Sequence, residues 1–385
     1  MGKGIMRGAT AIFWCAVMFF LFQGKAVAEG TINIGYCGPL TGRAAYIGND
    51  VLHGATIAAK EINDEGGVVV AGKKYKVNIQ SYDDEGVAAK AVAGMQRLKD
   101  KYDVPVIIQN MSACIMGVME RNEKMGILLI GFFKIPEATT KGNKLVLRYH
   151  QTADKDCEDL VRETSRLLKP KTYALISDVS DYGKSAAKGN QEAFEKLGAK
   201  MVANEWLDQR TQTDFRGQLT KIKAANPDVI MLSAYDEASA GVIKQAHELG
   251  IKTPFALSSG FQNKGEQLTG PDLIEGYLKQ ISFINQTPTP PAVAHYKALY
   301  AAMGYKDTLG TYGNTCYAMV HTIVKAMQKA GTTTDAIKIR QAAPSVVPLS
   351  DKHNTTNFMG WEDNGNGRVD AKIGKYHKGV CVPIH

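Results

Sequence analysis

The chain has 385 residues, 44% hydrophobic and 22% charged, an ordinary globular composition that excludes disorder, collagen and coiled coil. Its length exceeds what a single core usually covers, so two domains are expected. Lys plus Arg is 46 against 38 Asp plus Glu, a net +8, but no run of five basic residues occurs, which argues against a nucleic-acid-binding tail, and six Cys are too few for a disulfide scaffold.

Lys3 and Arg7 precede an apolar run from Ala9 to Phe22, followed by Ala26-Val27-Ala28. This is the pattern of a secretory signal peptide, residues 1–28, cut between Ala28 and Glu29. The run is shorter than the roughly 20 residues a membrane span needs. Without residues 1–28 the chain has 357 residues and a net charge of +5, because Lys3, Arg7 and Lys25 leave with no acidic residue. Five Cys remain, at 37, 114, 157, 316 and 381; the odd count leaves at least one unpaired, and no pairing can be assigned.

From residue 31 two periods alternate. Ile32, Ile34 and Tyr36 mark a strand; Val51, Ala55, Ala58 and Ile62 mark a helix face. Tyr75, Val77 and Ile79 repeat the strand, and Val87, Ala91, Met95 and Leu98 the helix. Val104–Ile108 is a continuous apolar strand, as a buried parallel sheet requires. A helix near 114–125 and a strand at 127–132 follow. The rhythm restarts after His150, with strands at 172–177, 200–205, 228–233 and 255–258 separated by helical stretches. The Pro-rich Thr287–Pro291 precedes helices near 292–303 and 313–330, and Asp363-Asn-Gly-Asn-Gly367 is a turn. The fold class is therefore α/β: two units, each a parallel-type sheet flanked by helices.

No catalytic motif is present: no G-x-S-x-G elbow, no H-E-x-x-H, no Walker loop. The eight His are isolated in sequence, and without a C-x-x-C pair or tight Cys/His cluster no metal or cofactor is expected. The Asp363–Asp370 stretch lacks the full calcium loop and its terminal Glu. What stands out is the loops after the strands, where open α/β sheets bind ligands. They are rich in small polar and aromatic residues: Gly35–Arg43 running on to Tyr46, Asn110–Ala113, Phe132–Lys134, Ser180–Gly183, Ser233–Asp236 and Ser258–Phe261. Such a rim suits a small amphipathic ligand. Ser112 opens a helix; its hydroxyl can cap that helix, or the free amides there can hold a carboxylate.

At these loops the sequence resembles the periplasmic leucine/isoleucine/valine-binding proteins, the type I solute-binding components of ABC importers. The resemblance runs through Ile32–Gly35, Gly38-Pro-Leu-Thr-Gly42, Gly48, Gly54, Ala59–Asn63, Gly66-Gly67, Asp83-Asp84, Pro136-Glu137, Asp181-Tyr-Gly183, Asp214-Phe215 and Phe358-x-Gly360. It implies two lobes joined by three hinge crossovers, near 149–151, 279–283 and 355–360. Lobe 1 would then be 29–149 plus 281–356, and lobe 2 would be 150–280 plus 357–385. It further implies a monomeric periplasmic protein that closes on a small molecule and presents it to a membrane permease, with no nucleic-acid partner. A ligand-sensing subunit and an exported enzyme are the competing classes.

Carried over by resemblance, Ser112 holds the ligand carboxylate and Tyr182 faces it from the second lobe. Tyr235 or Asp236 takes another cleft position, and Ile47, beside Tyr46, falls where the family has a cleft Trp. Two positions depart from the family. The stretch supplying a small residue and a Thr reads Phe132-Phe133-Lys134, and the acid that pairs with a ligand ammonium falls near Ser259. Asp236 is one replacement for that acid. Otherwise the ligand is a small carboxylate or amide, an aromatic body being one option, with Lys134 as an anion partner; the alternative is that Lys134 faces solvent and both Phe rings pack inside the lobe.

Overall fold

The computed structural model describes residues 1, 28, 30–307, 309–349 and 351–384. The expected signal peptide and its cut lie, apart from residues 1 and 28, outside the described residues. Among the described residues no helix is long and apolar enough to cross a membrane.

The first sheet is built from β1 (Gly30–Gly38), β2 (Val68–Val70), β3 (Lys73–Asp83), β4 (Val106–Gln109), β5 (Leu128–Gly131) and β6 (Val146–Arg148), in the order β2-β3-β1-β4-β5-β6. All its pairings are parallel except the edge pair β2–β3. The helices between them are α1 (Ala45–Asp64), α2 (Ala88–Tyr102), α3 (Ser112–Met119) and the short α4 (Glu137–Thr140). Helix α1 buries Val51, Ala55, Ala58 and Ile62, the face read from the 3.6-residue period. The chain then leaves this sheet through residues 149–152.

The second unit holds α5 (Ala153–Leu168), β7 (Thr172–Asp178), α6 (Asp181–Lys196), β8 (Lys200–Leu207), α7 (Arg216–Ala225), β9 (Val229–Ser233), α8 (Asp236–Glu248), β10 (Phe255–Leu257), α9 (Asn263–Thr269) and β11 (Leu278–Gln280). After β11 the chain returns to the first lobe with α10 (Pro291–Ala302), α11 (Gly313–Ala330) and α12 (Ala336–Ala342), whose apolar faces join the core of β1, β4 and α1. A two-stranded hairpin, β12 (Phe358–Trp361) and β13 (Gly367–Val369), follows. Strands β14 (Ile373–His377) and β15 (Val380–Pro383) then add antiparallel to the second sheet, whose order is β15-β14-β11-β10-β9-β7-β8.

The last crossing therefore falls between Val369 and Ile373, later than the 355–360 expected. Residues 357–369, assigned from sequence to the second lobe, sit on the first. Phe358 stacks on Tyr149 with centroids 4.1 Å apart and Trp361 meets the same ring edge-on. Trp361 Nε1 donates to the Arg148 carbonyl (2.7 Å) and the Arg148 amide donates to Gly365 O (2.9 Å). Burying two large aromatic rings against the end of β6 holds the hairpin on the first lobe, past the crossing that the resemblance implied.

Helices α1 and α11 cross where Gly54 meets Gly313; a Cβ on Gly54 would overlap the Gly313 backbone. One turn earlier on α1, buried Asp50 accepts from the amides of Gly310, Tyr312 and Gly313 (3.3, 2.9 and 2.8 Å) and so caps α11. All five described Cys are free thiols, four of them buried.

Candidate functional site

Each loop facing the gap between the lobes begins where a parallel strand ends, and buried polar residues fix its shape. After β3, buried Asp84 accepts from Gly86 N (2.8 Å) and Gln109 Nε2 (3.1 Å), and Gln109 Oε1 accepts from Met111 N (2.9 Å). That chain sets the turn into α3. The Cys114 and Ile115 amides both return to Met111 O, leaving Ser112 and Ala113 N–H as the open start of the helix. The second lobe repeats the device. Asp178 accepts from Ser180 N (3.0 Å), Gln209 N (2.9 Å) and Gln209 Nε2 (2.8 Å), while Gln209 Oε1 accepts from Tyr235 N (2.7 Å).

Between these loops lies a cavity of about 370 Å³. Gly42–Ala44, Tyr46, Gly86, Met111 and Ser112 line it from the first lobe, and Ser180, Tyr182, Gln209–Thr211 and Tyr235 from the second. A deeper recess of about 20 Å³ shares Ser112, Tyr182 and Tyr235 with it and adds Ile47, Asn110, Phe132, Lys134, Ser259 and Tyr312. Two aromatic pairs flank the recess, one from each lobe. Tyr182 and Tyr235 stack nearly parallel (5.2 Å, 5°), and Phe132 stacks on Tyr312 (5.5 Å, 24°). The Tyr182 hydroxyl is fixed by Ser258 Oγ (2.7 Å) and the Gly260 amide (2.9 Å). Asn110 Nδ2 is buried with no partner. At the mouth Arg43 reaches Glu237 Oε2 and Gln212 O across the lobes, both at 3.4 Å; such half-exposed contacts contribute under about 1 kcal/mol.

Lys134 neither faces solvent nor offers a free charge. Its ammonium donates to Asp156 Oδ2 (2.6 Å) and to His150 Nδ1 (2.7 Å). Asp156, 3% exposed, also accepts from Ser259 Oγ (2.8 Å) and Gln151 Nε2 (2.8 Å). The Lys134 carbonyl accepts from Ala153 N, and its amide donates to Ser112 Oγ (2.9 Å). Burial lowers the Lys134 pKa against the pull of Asp156. Burial would raise that of Asp156, but Lys134 holds it below the usual carboxylate range. Burial, then Lys134, pushes His150 down to about 4. A charged network thus ties the first lobe to the second at the first crossing.

The sequence-predicted residues divide accordingly. Tyr46, Ile47, Ser112, Tyr182, Tyr235, Lys134 and Ser259 all border the cleft cavities. Phe133 does not: it is buried in the core behind the sheet with the Arg148 guanidinium 5.5 Å from its ring, and it is Phe132 that faces the recess. Asp236 borders a separate cavity of about 90 Å³ with Asp50 and Tyr46. Its Oδ1 takes the Gln262 and Gly265 amides (2.5 and 2.8 Å), its Oδ2 has no hydrogen-bond partner, and burial pushes its pKa up to about 6.

Four residues escaped the sequence reading. Asp156 is the buried acid; it lies on a helix after the crossing, where no loop pattern marks it. Tyr312 opens α11, far along the chain. Arg210 borders the wide cavity, and among the described residues its guanidinium has no hydrogen bond or ion pair. Asn110 lay in a loop already singled out, but nothing marked its amide as unpartnered.

Two α/β lobes closing on an aromatic, polar-rimmed cleft define a type I solute-binding fold. A family model described as periplasmic binding protein matches residues 31–375, and the chain belongs to that family. It is a substrate-binding protein and not an enzyme. It is 26% identical to the leucine-, isoleucine-, valine-, threonine- and alanine-binding protein of Pseudomonas aeruginosa, with 98% of each chain covered. It is 24% identical to the Leu/Ile/Val-binding protein of Escherichia coli K12, with 89% of each covered. Among solved structures it is similar to the branched-chain amino acid transporter substrate-binding protein LivJ of Streptococcus pneumoniae in complex with isoleucine (TM-score 0.79, 22% identity, 92% of this chain and 100% of that one). It is equally similar in fold to an ABC transporter solute-binding protein of R. palustris in complex with benzoate (TM-score 0.79, 15% identity, 92% and 96% covered).

Proposed function

We propose that this protein is the exported, periplasmic solute-binding component of an ABC importer, and that it delivers a small carboxylate with a flat apolar body to a membrane permease. One observation carries the choice of ligand. At the place where a ligand ammonium would seek an acid, Asp156 is already saturated by Lys134, Ser259 and Gln151. The protein supplies its own ammonium there. What stays free is donor capacity: the Ser112 and Ala113 amides, Asn110 Nδ2 and Arg210. A carboxylate fits those donors, and the two aromatic pairs favour a planar body between them.

The fold does not choose the ligand, since one relative holds isoleucine and another benzoate. A second reading rests on Asp236, whose unpartnered Oδ2 is an acceptor for an amine; it borders the neighbouring cavity and not the recess. Calorimetric titration of the chain from residue 29 with benzoate and with isoleucine separates the two. Binding of benzoate with isoleucine silent supports the carboxylate reading; the reverse result overturns it.

A further inference from the structure

The buried carboxylate of Glu61 on α1 stands at the centre of a cluster that the cleft does not use. Its Oε1 accepts from His295 Nε2 (2.7 Å) on α10 and Lys352 Nζ (2.8 Å). Its Oε2 accepts from the Tyr317 hydroxyl (2.5 Å) on α11. His321 Nε2 lies 3.3 Å from that same Oε2, and His353 Nε2 lies 3.7 Å from it. The two imidazoles stack at 3.7 Å and 22°. Yet His321 Nε2 and His353 Nε2 are buried with no hydrogen-bond partner. A salt-bridge hub explains Oε1 and leaves these two imidazole nitrogens unexplained; buried polar atoms without partners are uncommon and call for one.

We propose that Glu61, His321 and His353 form a binding site for a late first-row divalent cation, zinc(II) foremost, held by Glu61 Oε2 and the two Nε2 atoms with a fourth position open to water. One ligand atom from each residue lies within 4.8 Å of the other two. A tetrahedral zinc site with bonds of about 2.0–2.1 Å places its ligand atoms about 3.3–3.4 Å apart. The His321–Glu61 distance already matches, and the His353–Glu61 distance exceeds it by about 0.4 Å. The outer shell is in place. Asp351 Oδ1 lies 2.9 Å from His353 Nδ1, the carboxylate–histidine arrangement that orients a ligating imidazole. Tyr317, His295 and Lys352 fix the Glu61 carboxylate.

The ligands come from α1, from α11 and from the segment between α12 and β12, so the ion would clip that segment onto the helical core of the first lobe. Lys352, 43% exposed at its side chain, and His295 form the rim through which an ion enters.

The test uses the full mature chain stripped with a chelator, then titrated with zinc(II) by calorimetry and with cobalt(II) by visible absorption. The expected result is one ion per chain, the intense visible bands of four-coordinate cobalt, and a melting temperature raised by several degrees in excess zinc. His353→Gln and His321→Ala should each weaken binding at least tenfold. Absence of binding by the wild-type chain overturns the proposal, whatever the variants do. Binding that survives unchanged in both folded His variants, or cobalt spectra of a six-coordinate aquo ion, overturns it as well.

Discussion

Replacing Lys134 by Met keeps the length of the side chain and deletes its charge. Asp156 would then remain at the junction of the lobes, 3% exposed, with only Ser259 and Gln151 as donors. Removing one partner of a buried ion pair costs about 3–5 kcal/mol. Two surviving neutral donors, each contributing about 1 kcal/mol, place Lys134→Met at the lower end, about 3 kcal/mol. Asp156→Asn instead leaves the buried ammonium without its counter-charge, facing a neutral amide and the His150 nitrogen, and should cost about 4 kcal/mol. The double variant removes both charges and should cost less than the sum, with a coupling of about 2 kcal/mol. Urea unfolding of the four proteins measures each quantity. Single-variant costs below about 1 kcal/mol, adding without coupling, would show that both charges are solvated and would refute the account of the junction.

Arg210→Gln should weaken carboxylate binding by about tenfold, the loss of one charge-assisted contact, while Lys134→Met, which removes the ammonium that occupies Asp156, should shift the preference toward ligands that carry an amine; competition calorimetry reads both. Gly54→Ala should lower stability by about 1–3 kcal/mol through overpacking at the α1–α11 crossing, seen as a lower unfolding midpoint. His150 has a folded pKa of about 4 against 6.5 when unfolded, so the unfolded chain binds the extra proton between those values. Its stabilising contribution is complete above pH 6.5 and is lost as pH falls toward 4. His150→Asn, which can still accept from Lys134, should flatten the stability profile in that window; an unchanged slope would place the titration elsewhere.

The alternation of strand and helix periods carried the central strands and long helices, because each buries a continuous apolar face. It did not carry β11, β14 and β15. The first is a three-residue strand, and the other two form a terminal antiparallel addition with outward positions such as Val380 and Val382 left exposed. Nor did it place the β12–β13 hairpin, since the Asp363–Gly367 turn looks the same on either lobe and only the packing of Phe358 and Trp361 on Tyr149 decides. The cleft was legible where it follows strand ends: Tyr46, Ser112, Tyr182 and Tyr235 came from loops that the parallel topology aims at the gap. Phe133 was misjudged because adjacent residues after β5 point to opposite sides, and Phe132 took the cleft side. Lys134 was located at the cleft, but its partner was not, because Asp156 reaches it only through the crossing between the lobes. The Glu61 cluster was invisible for the same reason: residues 61, 295, 321 and 353 share no local spacing, and only the return of α10 and α11 onto α1 brings them together.

The central claim is that the cleft provides its own ammonium and accepts a carboxylate that lacks one. Thermal unfolding of the mature chain with benzoate, isoleucine and leucine tests it most directly, because ligand at 100 times its Kd adds about 2.7 kcal/mol of stability. The account predicts a clear rise in melting temperature with the aromatic acid and none with the two amino acids. A rise with isoleucine or leucine and none with the acid would contradict it.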